Sequence, residues 1–152
     1  MRISAKADYA VRAAIELAGA GNDGPLKGER IADAQGVPLR FLENILGELR
    51  HAGLVQSQRG AEGGYWLNRP ADDITLAEII RAVEGPLASV RGQRPEELEY
   101  RSGTEPLQRV WVALRANIRE ILESVTLSDL VAGDLPEPVL SLTEHPETWQ
   151  PH

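Results

Sequence analysis

The apolar residues change period partway along the chain, and that change constrains the fold more than any other feature. Up to about residue 53 they recur every three to four positions, as on a helix with one buried face. After Gly53 come Leu54-Val55-Gln56-Ser57-Gln58 and Tyr65-Trp66-Leu67-Asn68, separated by Arg59-Gly60-Ala61-Glu62-Gly63-Gly64. Two short strand-like runs around a glycine-rich tip read as a β-hairpin.

Three helices precede it. The first is expected at about 4–19, with Ser4 as N-cap and a stripe of Ala7, Ala10, Val11, Ala14, Leu17 and Ala18. A turn region rich in Gly, Asn, Asp and Pro fills 19–25, and a short helix at about 28–35 ends at Gly36, a good residue for a helix C-terminus. The third, at about 39–51, sorts its faces. Leu42, Ile45, Leu46 and Leu49 point inward, while Arg40, Glu43, Asn44 and Gly47 follow the same spacing on the outside. Helix, helix–turn–helix, hairpin is the order of a winged helix.

Beyond the hairpin, Thr75-Leu-Ala-Glu78 is a capping box opening a helix at about 75–84, which Gly85-Pro86 stops. The polar, arginine-rich stretch 86–105 reads as a loop with little structure of its own. Pro106 starts a long helix to about Ser124, with a heptad-like seam of Leu107, Trp111, Leu114, Ile118, Ile121 and Val125. At 1.5 Å per residue it is roughly 28 Å long, enough to cross a subunit interface, and pairing with a second copy of the chain is expected. From Asp134 onward four prolines and weak periodicity predict an extended tail in which Trp149 is solvated. The expected division is a winged helix–turn–helix DNA-binding domain at 1–84, a linker or effector-type loop at 85–106, a dimerisation helix with its following turn at 107–132, and a flexible, acidic, proline-rich tail at 133–152. The fold class is mainly α with a small β-hairpin wing.

Composition narrows the chemistry. The chain has no cysteine, which removes disulfides, thiolate nucleophiles and cysteine-held zinc or iron–sulfur clusters. Its three histidines are His51, His145 and His152, two of them near the end, so a histidine-rich metal site is not expected. No nucleophile–base pair stands out, and the chain reads as a non-enzyme without a cofactor. With no membrane-length apolar run and no signal-peptide pattern, a soluble cytoplasmic protein is expected. The formal charge of −7 would argue against nucleic acid if it were evenly spread. It is not: residues 1–70 carry nine Lys and Arg against eight Asp and Glu, whereas 71–152 carry seven arginines against fifteen carboxylates. The helical head is close to neutral, and its basic residues can be concentrated on one face.

Arg40 can reach a guanine edge or a phosphate, Glu43 can accept from a cytosine amino group, and Asn44 can pair with adenine. Gly47 adds no bulk, so the helix can lie close to the DNA backbone. Arg59, at the tip with Gly60, Gly63 and Gly64, suits a narrow minor groove, although Glu62 is a poor neighbour for phosphate. Ser4, Lys6 and Tyr9 are candidate phosphate contacts that fix register, and Arg50 and Tyr65 complete the candidate surface. The expected partner is double-stranded DNA. The alternative is a winged-helix module that binds protein through its wing and tail.

The opening Met-Arg-Ile-Ser-Ala-Lys-Ala-Asp-Tyr-Ala-Val-Arg-Ala, the run from Phe41 to Val55, the Arg-Gly-x-x-Gly-Gly-Tyr of 59–65 and the run from Ile74 to Gly85 together resemble the Rrf-two family of bacterial winged-helix regulators over about 1–130. The resemblance implies a homodimer on a dyad-symmetric operator, with Glu43 and Arg59 contacting DNA and Arg40 standing where some members have serine. Iron–sulfur members of the family hold three cysteines between the post-wing helix and the long helix. Here that segment has neither cysteine nor histidine, and residues such as Gly92, Leu98 and Thr104 occupy it. A small-molecule or protein effector remains open there: Arg91, Arg94 and Arg101 can either meet an anion or pair with Glu96, Glu97 and Glu99.

Overall fold

The computed structural model describes all 152 residues. In chain order it contains α1 (Ala5–Ala20), α2 (Gly28–Gln35), α3 (Leu39–His51), β1 (Val55–Gln58), β2 (Gly64–Leu67), α4 (Leu76–Glu84), α5 (Pro106–Ser124), α6 (Leu127–Ala132) and α7 (Glu137–Thr143). The expected winged helix–turn–helix is present, and no helix is long and apolar enough to cross a membrane.

Local chemistry sets the element ends. The Ser4 hydroxyl accepts from the Ala7 N–H at 3.0 Å and caps α1. Gly36, at φ 63°, ends α2 in the left-handed region and returns its N–H to the carbonyls of Ala32 and Asp33. The capping box at α4 is complete. Thr75 accepts from the Glu78 N–H at 3.3 Å, and the Glu78 carboxylate accepts from the Thr75 N–H at 3.0 Å.

The core is the inner face of these helices. Ala7, Ala10, Ala13, Ala14 and Leu17 of α1 meet Ile31 of α2, the Leu42–Ile45–Leu46–Leu49 stripe of α3, and Ile74, Ile79 and Val83 around α4. The alanines of α1 let α3 and α4 pack closely against it. β1 and β2 pair antiparallel, Val55 with Leu67 through Gln58 with Gly64. Leu26, which the sequence places just past a turn, adds a further rung: it exchanges hydrogen bonds of 2.9 and 2.8 Å with Tyr65. The wing is thereby tied to the entry of the helix–turn–helix.

The C-terminal half departs from expectation in three places. The 86–105 segment is anchored: Leu87, Pro95 and Leu98 are buried, a 3-10 turn forms at Pro95–Glu97, and Gln108 of α5 donates to the carbonyls of Glu96 and Leu98 at 3.1 and 2.9 Å. Val125 does not extend the α5 seam. It is 3% exposed and ends the helix, and its carbonyl accepts from the Leu76 N–H at 2.9 Å. Just beyond it, Leu127 is fully buried, its N–H bonds the Ile74 carbonyl at 3.0 Å, and α6, capped by Thr126 and Asp129, packs on α1. Leu127 thus joins the core of the head, and α6 follows it onto α1. Finally, 137–143 is a helix rather than extended chain. Its prolines occupy the N-cap (Pro136) and the first turn (Pro138), where no backbone N–H is required. The Trp149 indole N–H closes back on the Thr143 carbonyl at 2.9 Å, although the ring is 74% exposed.

Arg69 braces the α4 cap by donating to Glu78 at 2.9 and 3.1 Å and to Asp73 at 3.1 Å. Hydrogen bonding from Arg69, outweighing desolvation, holds the Glu78 carboxyl below the usual carboxylate range. A carboxyl whose pKa is lower folded than unfolded stabilises the fold above its unfolded value, about 4.3, and that contribution is lost as pH falls through the folded value. The ion pair is screened by solvent, so the charge of Glu78 contributes about 0.2–1 kcal/mol, whereas the cap hydrogen bond needs no charge and glutamine also makes it. Glu78→Gln should therefore lower the melting temperature by no more than about 1–3 °C at neutral pH. The gap from the wild type should narrow as the pH is taken towards 3 in parallel thermal melts; a constant gap would show that ionisation of Glu78 contributes nothing.

Candidate nucleic-acid interface

The outer face of α3 is free of intramolecular work. Its inner face buries Leu42, Ile45, Leu46 and Leu49 to below 1% exposure, which leaves Arg40, Glu43 and Asn44 together in solvent with no hydrogen-bond or ionic partner within the chain. Gly47 lies on the same side. A Cβ added there would meet nothing within 4 Å, and its backbone is ordinary helix. Neither packing nor backbone geometry inside the chain requires a glycine at a mid-helix position where it costs about 0.5–1 kcal/mol.

Arg50, in the last turn of α3, donates to the Ser57 hydroxyl on β1 at 3.0 Å and links α3 to the wing. At the wing tip Arg59 is exposed and unpaired, and Gly60, at φ 101°, makes the left-handed turn. Lys27 joins this tip by donating to the Gly60 carbonyl at 2.6 Å. The sequence reading passed over Lys27. Its place depends on the Leu26–Tyr65 pairing, which joins residues far apart in the chain and leaves no local signal.

Other candidates serve the scaffold. Gly63 and Gly64 are buried and shape the hairpin: a Cβ on Gly63 would lie 2.0 Å from the Gln58 carbonyl oxygen, and one on Gly64 2.5 Å from that of Leu26. Tyr65 is half-buried beside Gly28. The Ser4 hydroxyl accepts from Ala7 and donates to Glu84. Lys6 is paired with Glu48 at 2.8 Å but retains free N–H groups. Tyr9 stands edge-on to Phe41, ring centroids 5.7 Å apart, with the Arg12 guanidinium 5.3 Å from its own ring centre. Together these contacts fix α1 against α3.

On α5 the seam residues Leu107, Trp111, Leu114, Ile118 and Ile121 lie on one side, none of them buried; Leu107 is 37% and its neighbour Val110 54% exposed. The Trp111 indole N–H is held by the Tyr100 hydroxyl at 2.8 Å, which ties the preceding loop to the helix. In that loop Arg91 lies over the Tyr100 ring, 5.8 Å from its centre.

The profile of the Rrf2 family, described as an iron-dependent transcriptional regulator, matches residues 3–133. A Mycobacterium tuberculosis protein named as an HTH-type transcriptional regulator is 49% identical over 144 residues, covering 95% of this chain and 89% of its own. CymR of Bacillus subtilis, also an HTH-type transcriptional regulator, is 39% identical over 133 residues, 87% of this chain and 91% of its own. The structure of B. subtilis CymR, the global cysteine regulator of that organism, superposes with a TM-score of 0.74, covering 88% of this chain and 98% of CymR. IscR of T. potens gives 0.72 at 35% identity, covering 88% of each chain. The iron named in the family description finds no matching donor set here. There are no thiolates, no three His, Asp or Glu side chains gather as a metal site, and 86–105 offers only scattered carboxylates. With its winged helix, exposed α3 face and wing-tip arginine, this chain belongs to the Rrf2 family of DNA-binding transcriptional regulators.

Proposed function

We propose that the protein is a homodimeric repressor that binds a dyad-symmetric operator without an iron–sulfur cluster. The observation that carries this reading is the unpartnered outer face of α3, Arg40, Glu43 and Asn44 around Gly47, beside the exposed Arg59 of the wing. Arg40, Glu43 and Asn44 read base edges in the major groove, Gly47 allows the helix to seat deeply, and Arg59 enters the flanking minor groove. Lys6, Lys27 and Arg50 supply backbone contacts. Dimerisation through α5 sets two such heads about one helical turn, or a multiple of it, apart. Acidity confined to residues beyond 70 leaves specific binding intact while keeping non-specific affinity low at physiological salt.

A footprint of the purified protein on its own upstream DNA should show two protected half-sites at that spacing. Arg59→Ala should weaken binding, with a fall in salt dependence of about one phosphate-equivalent if the guanidinium also contacts the backbone. Absence of salt-dependent binding to any such fragment would defeat the proposal. A separate expectation concerns Gly47. Gly47→Ala should stabilise the protein by about 0.5–1 kcal/mol, because nothing in the fold needs the glycine, and should reduce operator affinity at least severalfold. Unchanged affinity would show that DNA does not approach this helix closely.

A further inference from the structure

Four of the seven arginines beyond residue 70 line one cavity of about 430 Å³. Arg81 comes from α4, Arg94 from the loop, and Arg115 and Arg119 from α5; Ser89 and the Gly85–Ala88 backbone complete the wall. Two carboxylates face them. Glu123 accepts from Arg81 at 2.6 Å and from Arg119 at 3.2 Å, and Glu96 pairs with Arg115. Arg94 has no carboxylate within ion-pair distance of its side chain; Glu97 meets only its backbone N–H. The cavity therefore keeps an excess of two positive charges in the half of the chain where carboxylates outnumber arginines two to one. Surface ion-pairing alone would neutralise such a cluster, and plentiful acids nearby leave it uncompensated. Ala88, on the rim, is held at φ 53°, a left-handed conformation that non-glycine residues rarely adopt.

We infer that this cavity is the effector site of the regulator, and that it takes a small metabolite carrying two or more oxyanion groups, carboxylates or phosphates. Guanidinium forks bind both groups bidentately, and the volume is that of a small-molecule site. The expected pairings shift: Arg94 joins the cavity, Arg91 rests on Tyr100, and Arg101 is not among the lining residues. The cavity also straddles the joint that matters for regulation. Arg81 stands on α4, which packs against α1 and α3 of the DNA-binding head, whereas Arg115 and Arg119 stand on α5. In the empty cavity Glu123 already joins Arg81 to Arg119; an anion that binds these arginines together with Arg94 and Arg115 competes with that bridge and changes the link between α4 and α5, so the filled and empty cavities favour different placements of the head. The inference rests on the regulator reading for its role, but not for its binding site.

The test uses the full chain with citrate and inorganic pyrophosphate as probes, titrated calorimetrically at constant ionic strength. Saturable binding of one anion per protomer is expected, and the stronger of the two probes identifies the oxyanion chemistry. Arg94→Ala, at an exposed position where folding is not at stake, should weaken that binding about tenfold, and Arg94→Glu should abolish it. Arg59→Ala should leave it unchanged. On the footprinted fragment, saturating anion should shift DNA affinity at least fivefold. No saturable binding of either probe, or binding that survives Arg94→Glu, overturns the site; binding with no effect on DNA affinity overturns its regulatory role. Loss of DNA binding with anion binding intact would instead strike the operator proposal alone.

Discussion

Replacing Ile118 by aspartate is expected to convert the protein to a monomer and to weaken its operator binding by about two orders of magnitude or more. α5 runs for 19 residues without one buried side chain, although it carries a continuous apolar side. Leu107, Val110, Leu114, Ile118 and Ile121 recur at steps of three and four, and the chain supplies only partial cover for them. Beside Ile118, Ile121 and Leu122 a groove of about 690 Å³ opens between α5, α4 and the N-terminus, where Met1 and Ile3 are 90% and 79% exposed. A second α5 would cover both the helix side and the groove. A carboxylate at position 118 would have to be desolvated in that contact, at a cost of several kcal/mol. A dimer holds its second recognition helix at high effective concentration over the second half-site, and a monomer loses that advantage. Ile118 is only half-buried in the single chain, so the variant should keep its helical content and melt cooperatively. Sedimentation velocity would check the first part and a titrated gel shift the second. A variant that stays dimeric would move the interface away from α5.

What could be read in the sequence, and what could not, divides along the range of the interactions. The spacing of Leu42, Ile45, Leu46 and Leu49 fixes the face of α3 because a helix repeats every 3.6 residues whatever surrounds it. The Thr75–Glu78 box and the Gly36 terminus likewise involve neighbours in sequence, and the structure has them where expected. The errors come from residues whose partners lie far along the chain. Val125 continues the heptad spacing of α5 but is claimed by Leu76. Ser4, which caps α1 as expected, also donates to Glu84, a partner eighty residues away that no local pattern announces. Four prolines suggest an extended tail; three of them, Pro136, Pro138 and Pro146, stand at helix starts, where they are compatible with α7 and the following 3-10 turn. The arginine cavity was legible only in part, since Arg81, Arg115 and Arg119 are ordinary members of amphipathic helices until the fold brings Arg94 among them.

The wing glycines separate these two kinds of information most sharply. The Arg-Gly-x-x-Gly-Gly-Tyr run marks a hairpin tip, yet which glycine touches DNA and which shapes the backbone depends on contacts that only the folded chain has. Gly63→Ala should therefore be among the most damaging small substitutions in the head. Its Cβ would lie 2.0 Å from the Gln58 carbonyl oxygen, 2.7 Å from that carbonyl carbon and 2.8 Å from the Arg59 carbonyl carbon. All three are backbone atoms, so the clash cannot be relieved by turning a side chain; the hairpin mouth itself must open. That displaces the Gln58–Gly64 rung and the hydrogen bond from the Gly63 N–H to the Gly60 carbonyl, 3.0 Å, which together aim Arg59 and Gly60. A loss of about 1–3 kcal/mol in stability is expected, in the range of overpacked sites, with operator affinity down tenfold or more. The comparison with Gly47→Ala makes the test decisive. Both substitutions add one methyl group and both should weaken DNA binding, but Gly47→Ala should raise the melting temperature and Gly63→Ala should lower it. Thermal melts and operator titrations on the two variants side by side would check this. A Gly63→Ala protein that melts like the wild type and still binds operator would mean that the wing tip is not held by the contacts described.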